Sequence, residues 1–283
     1  MIYLLDYHIH PGYSIDAEDQ SILEYCQRAL KLELKEICFT PHLEVDPVRR
    51  QKDWFVRVEG KFHPMEDLSW LDNYFFEIEN ARNQLRSTHL KIKAGVEIGY
   101  IRGCEERIEK IITSYPFDYV LGSIHCLAHQ SISSWKESQE YFSSHTVDEA
   151  LNEYFQILQD AVNCNLFDCI AHLDLYRRHG ERFWGKTLID AHQGKIEPIL
   201  KDMARKKIGL EVNTSSIKRG LSEFHPSREI LFLAREYGVK VFTVGSDAHR
   251  LSELGAYIKQ AIIMLKEMGL AVYTFTARQP CPL

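Results

Sequence analysis

Along this chain, short apolar runs alternate with longer segments whose apolar positions recur three and four residues apart. The runs Ile2–Tyr7, Glu36–Thr40, Ile92–Glu97, Tyr119–His125, Phe167–His172, Gly209–Asn213 and Lys240–Gly245 predict buried strands. Between them, Ser21–Leu34, Leu68–Ser87, Glu105–Thr113, Val147–Asn163, Ile189–Lys207, Ser227–Tyr237 and Leu251–Met268 predict amphipathic helices. In the first of these, Ile22, Leu23, Cys26, Ala29 and Leu30 fall at helical spacing. Alternating strand and helix implies a parallel sheet with helices outside it. Seven such units without a glycine-rich dinucleotide loop favour a closed barrel over an open sheet.

Two stretches break the rhythm. An irregular insertion at about 43–67 is rich in charge, most of all over Val45–Asp67, and holds Pro47 and Pro64; Gln130–His145 is a second polar excursion. Loops of this length in a compact domain are often functional. No repeat, linker or low-complexity segment divides the chain, so one domain is expected over 1–283.

Composition narrows the class. At 283 residues, 45% hydrophobic and 26% charged, the chain has the make-up of a globular domain. A net charge of −6 argues against a broad nucleic-acid or anionic-membrane surface. No run reaches the roughly 18 apolar residues of a membrane span, and MIYLLDYHIH has no basic segment before its apolar run. The seven cysteines form no C-x-x-C pair, which argues against a disulfide framework or zinc ribbon and for reduced thiols in a cytoplasm.

The histidines change the picture most. The first strand ends in His8 and His10, followed by Asp16, and the second leads into His42. The third ends in Glu97 and the fourth in His125. The fifth ends in His172, with Asp174, Arg177 and Arg178 beyond, and the seventh is followed by Asp247 and His249. Parallel barrels place their active sites at the C-terminal ends of the strands, where all of these would meet. Each group alone has a plain reading: H-x-H is often structural, His42 an ordinary loop residue, Asp247 a helix cap. Together, six imidazoles and three carboxylates buried in one place would be severely unfavourable without cations. Imidazole and carboxylate are the usual ligands of Zn, Fe and Mn, so two to three divalent ions are expected.

The stretches YHIHPGYSID, FTPH, GVEIGY, FDYVLGSIH, AHLDLYRR, EVNTS and GSDAH resemble the PHP (polymerase and histidinol phosphatase) family, above all its free-standing histidinol-phosphatase members. The resemblance runs from residue 3 to about residue 260. It implies a distorted (β/α)7 barrel with a trinuclear metal site at the C-terminal ends of the strands. It further implies one ion held by His8, His10, Glu97 and Asp247, a second by Glu97, His125 and His172, and a third by Asp16, His42 and His249. The implied activity is hydrolysis of a small phosphate ester, L-histidinol phosphate first, without a covalent phosphoenzyme. The lack of a D-x-D-x-[TV] nucleophile pattern agrees with that. Arg177, Arg178, Lys218 and Arg219 are the candidate phosphate contacts, with Asp247 or His249 to protonate the leaving group. In NTSSIKRG a lysine, Lys218, stands where similar phosphatases tend to carry arginine, and His225 stands where an aromatic such as tyrosine is common. Trp54, Phe55 and Trp70 either form a lid or pack the insertion onto the barrel.

An amidohydrolase barrel also begins with H-x-H, but that class supplies a bridging lysine where this chain has Glu97, and it lacks a counterpart of His249. A non-catalytic module would have lost ligands that this chain retains. A related phosphoesterase acting on nucleotides is the other expectation to test.

Overall fold

The structure, a computed structural model, describes residues 2–188 and 190–283. Seven strands run parallel in chain order: Leu5–Ile9, Glu36–Phe39, Lys91–Gly99, Tyr119–Ser123, Cys169–Ile170, Gly209–Asn213 and Phe242–Gly245. They are called the first to seventh barrel strands below. The ring closes beyond its last ladder, where His10 N–H donates to Ala248 O (2.9 Å) and Ala248 N–H to His8 O (3.2 Å). Closure therefore runs through two predicted site residues, His8 and His10, and through Ala248, which stands between two more, Asp247 and His249. The result is the (β/α)7 barrel expected from the pattern.

Every residue of the first, second, fourth, sixth and seventh barrel strands is buried. Strands covered on both faces read as continuous apolar runs, which is why they stand out in the sequence. Outside them lie helices Ile22–Lys31, Trp70–Gln84, Glu105–Ser114, Val147–Cys164, Glu197–Lys206, Arg228–Glu236 and Ile258–Glu267. Ser21 and Thr146 open two of these with capping boxes completed by Glu24 and Glu149. The predicted helix Ile189–Lys207 starts eight residues later, at Glu197, and Ile189 itself lies outside the described residues.

Both excursions are more ordered than their composition suggested. The insertion contains strand His42–Glu44 and a hairpin of Phe55–Val58 with Lys61–Pro64. Strand His42–Glu44 takes over the pairing of the third barrel strand where the second leaves it, and sets His42 opposite Glu97. Trp135–Ser144 is a helix, with Ser138, Tyr141 and Phe142 buried and Ser134 capping its start. Its many serines and acids hid that apolar face.

A last hairpin, Tyr273–Thr276 with Gln279–Pro282, closes the N-terminal mouth of the barrel. Phe275 packs against Tyr119 at 4.9 Å between ring centroids, and Arg278 bonds Asp168 and Leu166 O. With that mouth filled, the opposite one is the open end.

Candidate metal centre

At the C-terminal mouth, a cavity of about 790 Å³ is lined by Asp16, His42, Glu97, His125, His172, Asp247 and His249. His8 and His10 lie fully buried beneath them. Glu97 is the hub. Its Oε1 lies 2.9 Å from His172 Nε2 and 3.3 Å from His125 Nε2, while its Oε2 lies 3.4 Å from His8 Nε2 and 3.5 Å from His10 Nε2. Asp247 Oδ1 completes the second group, 3.4 Å from His10 Nε2. A third group stands at the rim, where Asp16 Oδ2 is 3.2 Å from His249 Nε2 and 3.6 Å from His42 Nε2. Asp16 is the one exposed member.

On three of the imidazoles the ring nitrogen that faces away from the centre is held by another residue. His8 Nδ1 is 2.6 Å from Glu211 Oε1, His125 Nδ1 is 3.1 Å from Glu44 Oε1, and His10 Nδ1 is 3.1 Å from Ser14 Oγ. Such outer partners fix the tautomer and turn the other nitrogen inward, as around ligating histidines. Glu211, Glu44 and Ser14 were missed because only the strand ends were searched. Glu211 lies inside the sixth barrel strand, and the acid in EVNTS, central in an otherwise apolar strand, was the available signal. The glycine at 245 matters here, since a Cβ there would collide with His8 and the Glu211 carboxylate.

Several features test whether cations suit this place. Glu97 Oε2 and His42 Nδ1 are buried 2.9 Å apart without the geometry of a hydrogen bond, and His172 Nδ1 is buried without a partner among the described residues. Three sets of side chains each bring ligand atoms within 4.8 Å of one another: His8–His10–Glu97, His42–Glu97–His125 and His10–His42–His249. Two of the candidate ligands, His172 (φ 23°) and Asp247 (φ 53°), hold left-handed backbone, a strain more common at functional sites. The donor set is that of a divalent cation site.

The electrostatics tell the same story. Burial would raise the Glu97 and Asp247 carboxyls, but the surrounding imidazoles, His8 foremost, outweigh it and hold both well below the usual range. Burial opposes charge on His125 too, yet Glu97 and Glu44 push it up to about 9. His10 goes the other way, held well down by burial and by His42 and His249. Protons on some imidazoles thus balance the carboxylates, a task that cations take over when ligands lose protons to metal.

The four predicted phosphate contacts divide. Arg178, Lys218 and Arg219 line the cavity. Arg177 does not: its guanidinium turns outward to Asp174 (3.0 Å) and Glu181 (3.1 Å), so it is removed from the candidates. Lys218 pairs with Glu253 at 2.8 Å. Arg178 is nearly buried, with one bond of 3.3 Å to Asp247 Oδ2 and an Nε that has no partner. Burial and the neighbouring Arg219 push its guanidinium down to about 10. An anion between these arginines would relieve both effects. His225 is fully buried, 2.5 Å from Asp174 Oδ1, and takes no part in the cavity. Trp54 and Trp70 are buried as packing, whereas Phe55 lines the cavity.

A closed parallel barrel that gathers imidazoles and carboxylates at the C-terminal ends of its strands is the framework of a metal-dependent hydrolase. The chain belongs to the PHP domain family, which matches residues 6–215. It is 27% identical over 281 residues to a probable histidinol-phosphatase of Deinococcus radiodurans, with 99% of each chain covered. It is 28% identical over 267 residues to the histidinol-phosphatase of Lactococcus lactis, covering 94% of this chain and 91% of that one. A crystal structure of the Lactococcus lactis histidinol phosphate phosphatase, complexed with zinc, L-histidinol and phosphate, superposes with a TM-score of 0.76 at 24% identity. That superposition covers 99% of this chain and 100% of the other, and is a likeness of fold.

Proposed function

We propose that this protein is a metal-dependent phosphomonoesterase that hydrolyses L-histidinol phosphate to L-histidinol and phosphate. The observation that carries the reading is Glu97, whose two oxygens face two separate sets of imidazoles. In this reading His8, His10, Glu97 and Asp247 hold one divalent ion, Glu97, His125 and His172 a second, and Asp16, His42 and His249 a third. Zn, Fe and Mn all suit these donors. When bound, such ions supply the positive charge that activates water and stabilises phosphoryl oxygens.

The chain's own groups do the rest. Arg178 is poised to bind a phosphate oxygen, since it is short of partners and crowded by Arg219. Lys218 and Arg219 add charge at the same rim. Glu211, Glu44 and Ser14 keep the imidazoles oriented, which removes reorganisation from the reaction. The leaving alkoxide needs a proton, which Asp247, held in its charged form, does not carry; His249, also at the cavity, is the group left to deliver it. Full-length similarity to two histidinol-phosphatases supports the choice of substrate. Free thiols at all seven cysteines suit the reducing cytoplasm in which we place the enzyme.

The test is phosphate release from L-histidinol phosphate, p-nitrophenyl phosphate and nucleoside monophosphates. The expected result is a kcat/KM for histidinol phosphate at least about tenfold above the others, because contacts remote from phosphorus orient it. A clear preference for a nucleotide would overturn the substrate assignment.

A further inference from the structure

The cavity is unevenly charged. Its loops after the fifth, sixth and seventh barrel strands contribute Arg178, Lys218, Arg219 and Arg250, with Glu253 the added acid. The facing loops, after the second and fourth barrel strands, contribute Glu44, Asp53 and Glu137 against Arg49 and Lys52, together with Phe55 and serine hydroxyls. These facing loops are the two excursions, and one side chain joins them. Arg49, 4% exposed, donates from Nε to Asp53 Oδ2 (2.6 Å) in its own loop. Across the gap its Nη1 reaches Glu137 Oε2 (2.6 Å) and His129 O (2.8 Å), and its Nη2 reaches Glu137 Oε1 (3.2 Å). Glu137 also accepts from the Ser131 amide (3.0 Å), and His129 pairs with Asp46 (2.7 Å). The two excursions thus form one wall, held by a planar fork that lysine cannot reproduce.

We propose that this wall reads the part of the substrate remote from phosphate, accepting its ammonium at Asp53 and its ring against Phe55, and that Arg49 is the positioning residue that holds it. This rests on the phosphomonoesterase reading above. A substrate with phosphate at one end and an ammonium at the other matches the two-sided charge. Asp53 keeps Oδ1 without a hydrogen-bonded donor among the described residues, while Arg49 fixes its Oδ2. Glu137 is saturated by Arg49 and Ser131, so its part is structural.

The experiment compares kcat/KM for L-histidinol phosphate with that for ethyl phosphate, which has neither ammonium nor ring, in the wild type, Arg49→Met and Glu137→Gln. The wild type should favour histidinol phosphate. Arg49→Met should cut the ratio of the two kcat/KM values about tenfold, mainly through KM for histidinol phosphate, as expected for a lost charged hydrogen bond to a remote group. Glu137→Gln, which keeps the volume and loosens the same link from the other loop, should cut it about threefold and decides the matter if Arg49→Met does not fold. A wild type that does not favour histidinol phosphate overturns the functional reading and the wall with it. A wild type with the preference whose ratio neither variant moves overturns the wall alone.

Discussion

At the N-terminal mouth of the barrel, the half-buried acids Asp168 and Asp118 and the buried Glu36 are answered by the protein itself. Asp168 takes the Arg278 guanidinium (2.9 Å) and the Val120 amide (2.7 Å), and Asp118 takes Arg82 (2.8 Å) and the Ala94 and Ala277 amides. Glu36 accepts from the Tyr7 hydroxyl at 2.6 Å. At the C-terminal mouth Glu97 and Asp247 face mainly imidazoles, and Glu97 Oε2, crowded by His42 Nδ1 at 2.9 Å and by His8 and His10, makes no hydrogen bond of proper geometry with any described residue. Both mouths bury carboxylates in the same fold, but one is complete and the other is built to receive charge from outside. A site that must bind cations and a phosphate is left unsatisfied by design of its partners, and a floor that must only hold is not.

That contrast can be broken from either side. The largest effect is expected at the hub: Glu97→Gln should lower turnover of the metal-loaded enzyme by about three orders of magnitude, measured by phosphate release. Retention of a tenth of normal activity would mean that Glu97 joins no two ions. Next, zinc added to chelator-treated protein at about a thousand times its Kd should raise unfolding free energy by about 4 kcal/mol, read by urea denaturation. No rise would show the upper mouth to be as complete as the lower. At the floor, Arg278→Ala leaves the half-buried Asp168 without its countercharge and should cost about 2–3 kcal/mol of stability, with kcat unaffected; a drop in kcat instead would join the two mouths functionally.

The smallest effect concerns the wall. Burial would raise the Glu137 carboxyl, but the Arg49 fork, the Ser131 amide and Lys52 outweigh it and hold it at about 2, against an ordinary 4.5. A depressed carboxyl stabilises the fold above its unfolded value and loses that contribution as pH falls through its folded one. The stability difference between wild type and Glu137→Gln should therefore be full above pH about 4.5 and close towards pH 2. A difference that does not change over that window would remove the charge from the Arg49–Glu137 link.

Much of this was legible in the chain. The Gly209–Asn213 strand was predicted with its observed ends, and the other barrel strands lie within a few residues of their predicted ends, because strands buried on both faces leave an uninterrupted apolar trace. The positions of His8, His10, His42, Glu97, His125, His172, Asp247 and His249 at strand ends were equally plain, since a parallel barrel brings every such end to one face. Less legible was anything carried by polar side chains in irregular backbone. Helix Trp135–Ser144 and the hairpin Phe55–Pro64 were read as loops, and Arg49 as one more charge in a charged insertion.

The order of the barrel's strands and their covering helices, the chemistry gathered at one mouth and the family were determined by the sequence alone, because periodicity and residue type are local properties that survive without coordinates. The tertiary structure alone decided which way each charge faces. Arg177 and Arg178 are neighbours in the chain, yet one closes onto Asp174 and the other reaches the cavity, one residue of helix rotation apart. Glu211 and Arg49 acquire their partners across 203 and 88 residues of chain, in His8 and Glu137. Partners that distant are chosen by packing, and no local pattern records them.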